Sequence, residues 1–195
     1  MVFIPKGFTE TEKENIREKL IQECKEQWEQ FGYRKTNIDT LCSKSGISKG
    51  AFYIFFSSKE HLFLETIKKV QRDLYDLMEK IMEKEENKNG VRQALKTVYL
   101  EYDKSPFLYN TTSTDFVSFL NKISTEERES ITQDSLSCAK KLFKVPFLSL
   151  RISEEKALSV MSALLFTITS KEKMICNHFE VFQFMLDNLI NQIFE

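Results

Sequence analysis

The chain has 195 residues, 42% of them apolar and 29% charged, with a formal net charge of −1. That balance excludes a disordered segment and a polycation, and the length allows one sizeable core or a small unit joined to a larger one. Five glycines and three prolines signal few turns, so long helices are favoured over a many-stranded sheet.

Two overlapping capping boxes, Thr9 with Glu12 and Thr11 with Glu14, open the first predicted helix. Ile16, Leu20, Cys24, Trp28 and Phe31 then recur at helical spacing, and Gly32 is expected to end the run. A short helix follows over about Asn37–Ser45, with Ile38, Leu41 and Cys42 inward, and Gly46 breaks it. Ser48 caps a second short helix carrying Ala51, Phe52, Phe55 and Phe56. A long helix is predicted over about Lys59–Glu85, with the apolar stripe Leu62, Phe63, Thr66, Val70, Leu74, Leu77 and Ile81.

The polar run Glu83–Gly90 is expected as an exposed turn. Further helices are predicted over Val91–Tyr102, Asp115–Ile123, Thr125–Lys144, Ser153–Thr169 and His178–Phe194, with Ser105-Pro106 and Pro146 as stops. The last two are apolar around most of their circumference, which predicts burial on two sides. In a chain this small the second side is expected to meet another copy, through Ala157, Val160, Met161, Leu164 and Ile168 and through Phe182, Met185, Leu189 and Ile193.

Helix, tight glycine turn, helix is the helix-turn-helix plan, whose second helix enters the major groove. Here the turn is Ser45-Gly46-Ile47 and the second helix opens Ser48-Lys49-Gly50-Ala51-Phe52-Tyr53. Gly50 and Ala51 are small enough for close approach to DNA. Lys49 suits a phosphate or a guanine edge, and Tyr53 offers a phenol to phosphate and a ring to a thymine methyl. Lys59, Thr36 and Asn37 stand at helix starts, where open amides already favour an anion. Between Gly32 and His61, five basic residues (Arg34, Lys35, Lys44, Lys49, Lys59) outnumber two acidic ones (Asp39, Glu60), a local excess that can steer a phosphate backbone.

The stretch from Ile16 to Leu62 resembles the signature of the tetracycline-repressor-like (TetR) family. The residues that carry the resemblance are Phe31-Gly32-Tyr33, Thr36-Asn37-Ile38, Leu41-Cys42 and the run Ser45-Gly46-Ile47-Ser48-Lys49-Gly50-Ala51-Phe52-Tyr53-Ile54-Phe55-Phe56-Ser57-Ser58-Lys59-Glu60-His61-Leu62. The resemblance implies DNA contact at Thr36, Ser48, Lys49, Gly50, Ala51, Tyr53 and Lys59, and core packing at Ile47, Phe52 and Phe56. Phe55 stands where the family often has Tyr or His, and Asp39 where a basic or neutral residue is frequent.

The fold so implied is all-α: an N-terminal three-helix helix-turn-helix DNA-binding head joined to a larger C-terminal helical bundle, about nine helices in all. The head is expected over 1–58, and an effector-binding and dimerisation unit over 59–195. The function implied is that of a repressor that binds a near-palindromic operator as a homodimer and is released by a small-molecule effector. Candidate pocket rings are Tyr99, Tyr102, Phe107, Tyr109, Phe116, Phe119, Phe143 and Phe166, which suit an apolar or flat aromatic ligand.

The rival is a helix-turn-helix protein that binds a protein partner instead. No GxGxxG, P-loop, GxSxG or HExxH pattern occurs, so no enzyme is expected and no cofactor. Cys176-Asn177-His178 supplies too few ligands for a closed zinc site, and no metal is expected. Cys24, Cys42, Cys138 and Cys176 form no CxxC pair and are expected as buried thiols in a reducing compartment. Met1–Phe8, with Pro5 and Lys6, is too short for a secretory signal. No uncharged apolar run approaches the ~20 residues a membrane span needs, and a cytoplasmic location is expected.

Overall fold

A computed structural model describes residues 8–195, so all but the last residue of the early segment Met1–Phe8 lies outside the described residues. Nine α-helices occur among those residues: α1 Glu10–Lys35, α2 Ile38–Ser45, α3 Lys49–Phe55, α4 Lys59–Lys84, α5 Lys88–Lys104, α6 Thr114–Leu120, α7 Thr125–Lys141, α8 Glu154–Phe166 and α9 His178–Ile193. Short 3-10 turns cover Pro106–Leu108, Leu142–Lys144 and Thr167–Lys173. The architecture is all-α with an N-terminal helix-turn-helix head; extended pairing among the described residues is confined to a single bridge between Leu150 and Phe194. No helix there is long and apolar enough to cross a membrane.

Capping chemistry sets most starts. Thr9 and Glu12 form a reciprocal capping box, as do Ser124 and Glu127. Asn37, Ser48, Ser58, Ser113, Ser153 and Asn177 each accept a first-turn amide, which satisfies donors the helix itself leaves open.

Gly32, expected to end the first helix, instead sits at φ 82° and ψ 170° as a break with one more turn, Tyr33–Lys35, beyond it. The carboxylate of Asp115 on α6 stabilises that turn. It accepts the backbone amides of Tyr33 at 2.6 Å and Arg34 at 3.0 Å. The break also rotates the apolar stripe: Phe31 is exposed and Tyr33 is buried in its place. The Glu83–Gly90 run is shorter as a turn than its polarity suggests. Asn87 caps α5, and Gly90 is buried in its first turn, where a Cβ would lie 1.8 Å from the Glu85 carbonyl oxygen.

Two hydrophobic cores result. The first gathers Leu20, Cys24, Trp28 and Tyr33 of α1, Leu41 and Cys42 of α2, Phe52 and Phe56, and Leu62, Phe63, Ile67 and Val70 of α4. It also takes Phe107, Phe116, Phe119 and Ile123, so the position-58/59 turn marks the start of α4 and not a gap between cores. Trp28 stacks on Phe107 at 4.3 Å between ring centroids and meets Phe63, Phe116 and Phe119 within 6.1 Å. The second core holds Met78 and Met82 of α4 with the buried faces of α5, α8 and α9; there Tyr99 stacks on Phe182 at 3.9 Å.

The nearly all-round apolar helices α8 and α9 divide differently from expectation. Ala157, Met161, Leu164, Ile168, Phe182 and Ile193, expected at a dimer interface, are buried in the chain's own second core, and Val160, Met185 and Leu189 are partly buried. With both faces apolar, the pattern alone cannot say which one the chain covers itself. The outward apolar residues are Ala163, Phe166 and Phe184, the last 72% exposed.

Candidate nucleic-acid interface and bundle cavity

The second helix of the motif is short because its ends are fixed. Ser48 Oγ accepts the Ala51 amide at 3.2 Å, and Gly46 in the left-handed region (φ 76°) turns the chain after α2. Arg17, which sequence reasoning missed, fastens the far end. Its guanidinium donates to the Phe55 carbonyl and to Glu65, each at 3.0 Å, and lies 4.5 Å over the Phe56 ring. Its only sequence signal is a basic residue on the first turns of an amphipathic helix. Phe52 and Phe56 are buried and Ile47 is partly buried beneath the motif.

The outward side presents Ser48, Lys49, Gly50 and Tyr53, all exposed, with Ala51 partly so. Tyr53 is 53% exposed and its neighbour Ile54, not singled out from sequence, 63%. A Cβ on Gly50 would meet nothing closer than Ser48 Oγ at 3.9 Å, so nothing in the chain itself demands glycine there. Asn37 is exposed at the start of α2 and accepts the Thr40 amide at 2.8 Å.

Two candidates point elsewhere. Thr36 is buried, and its hydroxyl donates to the Gly32 carbonyl at 2.8 Å. Lys59 is partly buried; its ammonium donates to the Tyr33 carbonyl at 2.6 Å and lies 4.2 Å over the Tyr33 ring. Burial holds the Lys59 pKa below the ordinary lysine value, while burial and the Glu60 carboxylate, which accepts its hydroxyl at 2.5 Å, push Tyr33 up.

The basic excess is partly engaged. Lys44 pairs with Glu23 at 3.1 Å and Lys49 with Asp39 at 3.0 Å, the latter pair exposed on both sides. The hydrogen bond to Asp39 raises the Lys49 pKa. Such a surface pair is weak and opens easily. Arg34 and Lys35 are exposed.

Of the eight candidate pocket rings, Tyr102, Tyr109, Phe143 and Phe166 line one cavity in the bundle, of about 220 Å³. Phe107, Phe116 and Phe119 pack around Trp28 instead, and Tyr99 stacks against Phe182. The sequence missed most of the lining: Gln71, Leu74, Tyr75 and Met78 of α4, Leu95 and Val98 of α5, and Leu158, Met161, Ser162 and Leu165 of α8.

Among the remaining chemistry-bearing residues, His61 Nδ1 accepts the Ser57 amide at 3.3 Å. His178 Nε2 lies 3.2 Å from Asp103. Cys24 and Cys42 are buried, and burial pushes the Cys24 thiol up to about 12. Cys176, expected inside, is exposed. Among the described residues no group of three His, Cys, Asp or Glu side chains could hold a metal.

A capped, outward-facing second helix on an aromatic three-helix core, with a hollow helical bundle behind it, defines a helix-turn-helix protein. Residues 20–66 match the model of the bacterial regulatory proteins of the tetR family. The chain is 34% identical over 68 residues to the HTH-type transcriptional regulator YhgD of Bacillus subtilis; this covers 34% of the chain and 36% of that relative, about a third of each. Two solved structures share the fold. FadR of Bacillus subtilis in complex with stearoyl-CoA aligns at TM-score 0.63 and 15% identity over 92% of this chain and 98% of that one. A TetR-family regulator from Marinobacter aquaeolei VT8 aligns at 0.61 and 14% over 96% and 100%. The likeness to the tetR family of bacterial regulatory proteins therefore lies in the head.

Proposed function

We propose that the protein is a transcriptional repressor that binds a near-palindromic operator as a homodimer and is released by a small molecule in its bundle. In this reading residues 1–58 form the DNA-binding unit and 59–195 the effector and dimerisation unit. The observation that carries it is the outward display of Ser48, Lys49, Gly50 and Tyr53 on a helix fixed at both ends, by Ser48 and by Arg17. A rigid helix with small residues at its start suits the major groove. Asn37 and the open first-turn amides of α2 would take a phosphate, with Thr36 and Lys59 setting the backbone around them.

Two such helices about 34–36 Å apart would read one face of a duplex. The dimer seam would use the outward apolar side of α8 and α9, around Ala163 and Phe184, with Val160, Met185 and Leu189 at its edge. FadR, of the same fold, holds stearoyl-CoA, which supports an organic ligand in this architecture. The residues Phe107, Leu108 and Tyr109 give a ligand a route to the head: Phe107 stacks on Trp28, while Leu108 and Tyr109 line the cavity. An occupant that fits better when that turn shifts would bias the head away from DNA by its differential affinity.

Selection from a random duplex pool, followed by titration of the selected site, tests the reading. An inverted repeat is expected. Lys49→Glu should abolish binding with the fold intact. Asp39→Asn, which releases Lys49 from its pair, should tighten binding several-fold and steepen its salt dependence. An unselected pool, together with capture of a protein partner through exposed Tyr53 and Ile54, would favour the rival interaction protein instead.

A further inference from the structure

Resting on the proposal that the bundle cavity is the effector site, we infer that its ligand is a small, uncharged, mainly apolar molecule with one hydrogen-bond donor, received by Gln71. The size comes first. Ordinary ligand pockets run from roughly 300 Å³ upward, and an engineered apolar void of about 150 Å³ holds benzene. At about 220 Å³ and partly open to solvent, the cavity encloses a body of one or two fused rings, or a short alkyl chain, within its walls.

The charge follows from the wall. No lysine, arginine, histidine, aspartate or glutamate lines the cavity among the described residues. Leucine, methionine, phenylalanine and tyrosine dominate it, and an unpaired ion brought into such a space keeps little of its hydration. One cation, Lys141, lies 4.5 Å over the ring of Tyr75, a lining residue, and is itself exposed. It sits on the wall and not within it, which makes an anion the strongest rival.

The donor follows from Gln71. Its Oε1 is buried and meets no donor in the chain, although the residue lines the cavity. Buried polar atoms are nearly always paired, and an exception calls for a missing partner. Tyr75, near it on the same helix, gives its hydroxyl to Glu79 at 3.0 Å. That oxygen is covered as the side chain now lies, so the Gln71 amide must swing toward the cavity for a ligand hydroxyl or N–H directed at α4 to complete it. Such a ligand would also press on the helix that runs from the cavity into the head core.

Calorimetric titration of the full-length protein with four matched probes tests this: 2-naphthol, 2-methylnaphthalene, 2-naphthoate and 2-naphthylmethylammonium. Each is run on wild type, Gln71→Leu, Gln71→Met and Ala139→Trp, with circular dichroism to verify folding. In either Gln71 variant the affinity ratio of 2-naphthol to 2-methylnaphthalene should fall about five- to tenfold, the effect of one buried neutral hydrogen bond. Both charged probes should bind wild type at least about tenfold more weakly than 2-naphthol. Ala139→Trp, which fills the cavity, should remove all binding. If Ala139→Trp removes binding but the ratio stays fixed, or 2-naphthoate binds tightest, the ligand class is overturned while the cavity stands as the site. Probes that bind Ala139→Trp as well as wild type, or fail to bind wild type, overturn the site and the ligand class together.

Discussion

The two cores are packed in opposite ways. Around Trp28, four rings lie within 6.1 Å of the indole, and the residues that shape the outward face are tied down by Arg17, Lys59 and Asp115. The bundle core is held together on one side by Tyr99 and Phe182 but keeps an apolar void, an unpaired Gln71 carbonyl and exposed Phe166, Ile175 and Phe184. On the proposed function, a surface that fits a rigid duplex would gain from dense packing, whereas a site that chooses between two states would need room to change. The link between them is covalent and short, since Phe107 belongs to one core and its neighbours Leu108 and Tyr109 to the cavity wall.

The largest test of that contrast is Trp28→Ala. It removes the stacking that joins α1 to α4, α6 and the Pro106–Leu108 turn, and should cost roughly 3–5 kcal/mol. Because the head core includes residues from both halves of the chain, urea unfolding should stay a single transition at lower midpoint. A separate early loss of the head, with the bundle unmoved, would mean that the two regions are not mechanically joined.

A comparison of glycines sharpens the joint next. Both Gly32 and Gly46 have positive φ, at 82° and 76°. A Cβ on Gly46 meets nothing within 4 Å, but one on Gly32 would fall 2.8 Å from the Asp115 carboxylate. Gly46→Ala should cost about 1–2 kcal/mol from backbone strain alone. Gly32→Ala should cost more by at least about 1 kcal/mol, because the Asp115 bonds to the Tyr33 and Arg34 amides must also shift. In an Asp115→Ala background part of that extra penalty should vanish, and the remainder reflects the glycine-only conformation of Gly32 at φ 82° and ψ 170°. Equal penalties for the two glycines, measured by denaturant midpoint, would remove Asp115 as the strut between α6 and the head.

These particulars also mark how far the sequence could be read. The motif was legible because its signals are local: Ser48 caps its own helix, Gly46 turns its own loop, and the run to Leu62 carries a specific spacing. The turn beyond Gly32 was not, since Asp115 lies 82 residues from Tyr33. Thr36 and Lys59 read as exposed helix starts, yet Gly32 and Tyr33 carbonyls claim them. Aromatic identity located rings but not which core they join, so Phe107, Phe116 and Phe119 read as pocket. For α8 and α9 the apolar pattern told of two apolar faces and not which is inner.

The smallest effect concerns the rim of the bundle, where the chain relies on polar pairs instead of stacked rings. Lys171 and His178 both meet Asp103 of α5, at 2.6 and 3.2 Å, and so tie the 3-10 turn and α9 to that helix. The hydrogen bond to Asp103 raises the Lys171 pKa above the usual 10.5. A base that holds its proton more tightly when folded stabilises the fold fully below its unfolded value, and that contribution drains away as pH rises through the raised value. Lys171→Met should therefore cost about 0.5 kcal/mol near neutral pH, discounted for partial exposure, and nothing once the solution is more alkaline than the lysine range. His178 still holds Asp103 in the variant, so the cost should stay small. A penalty of Trp28→Ala size, or one that persists in alkali, would show that the bundle depends on this clamp as the head depends on its rings, and the contrast between the two regions would fail.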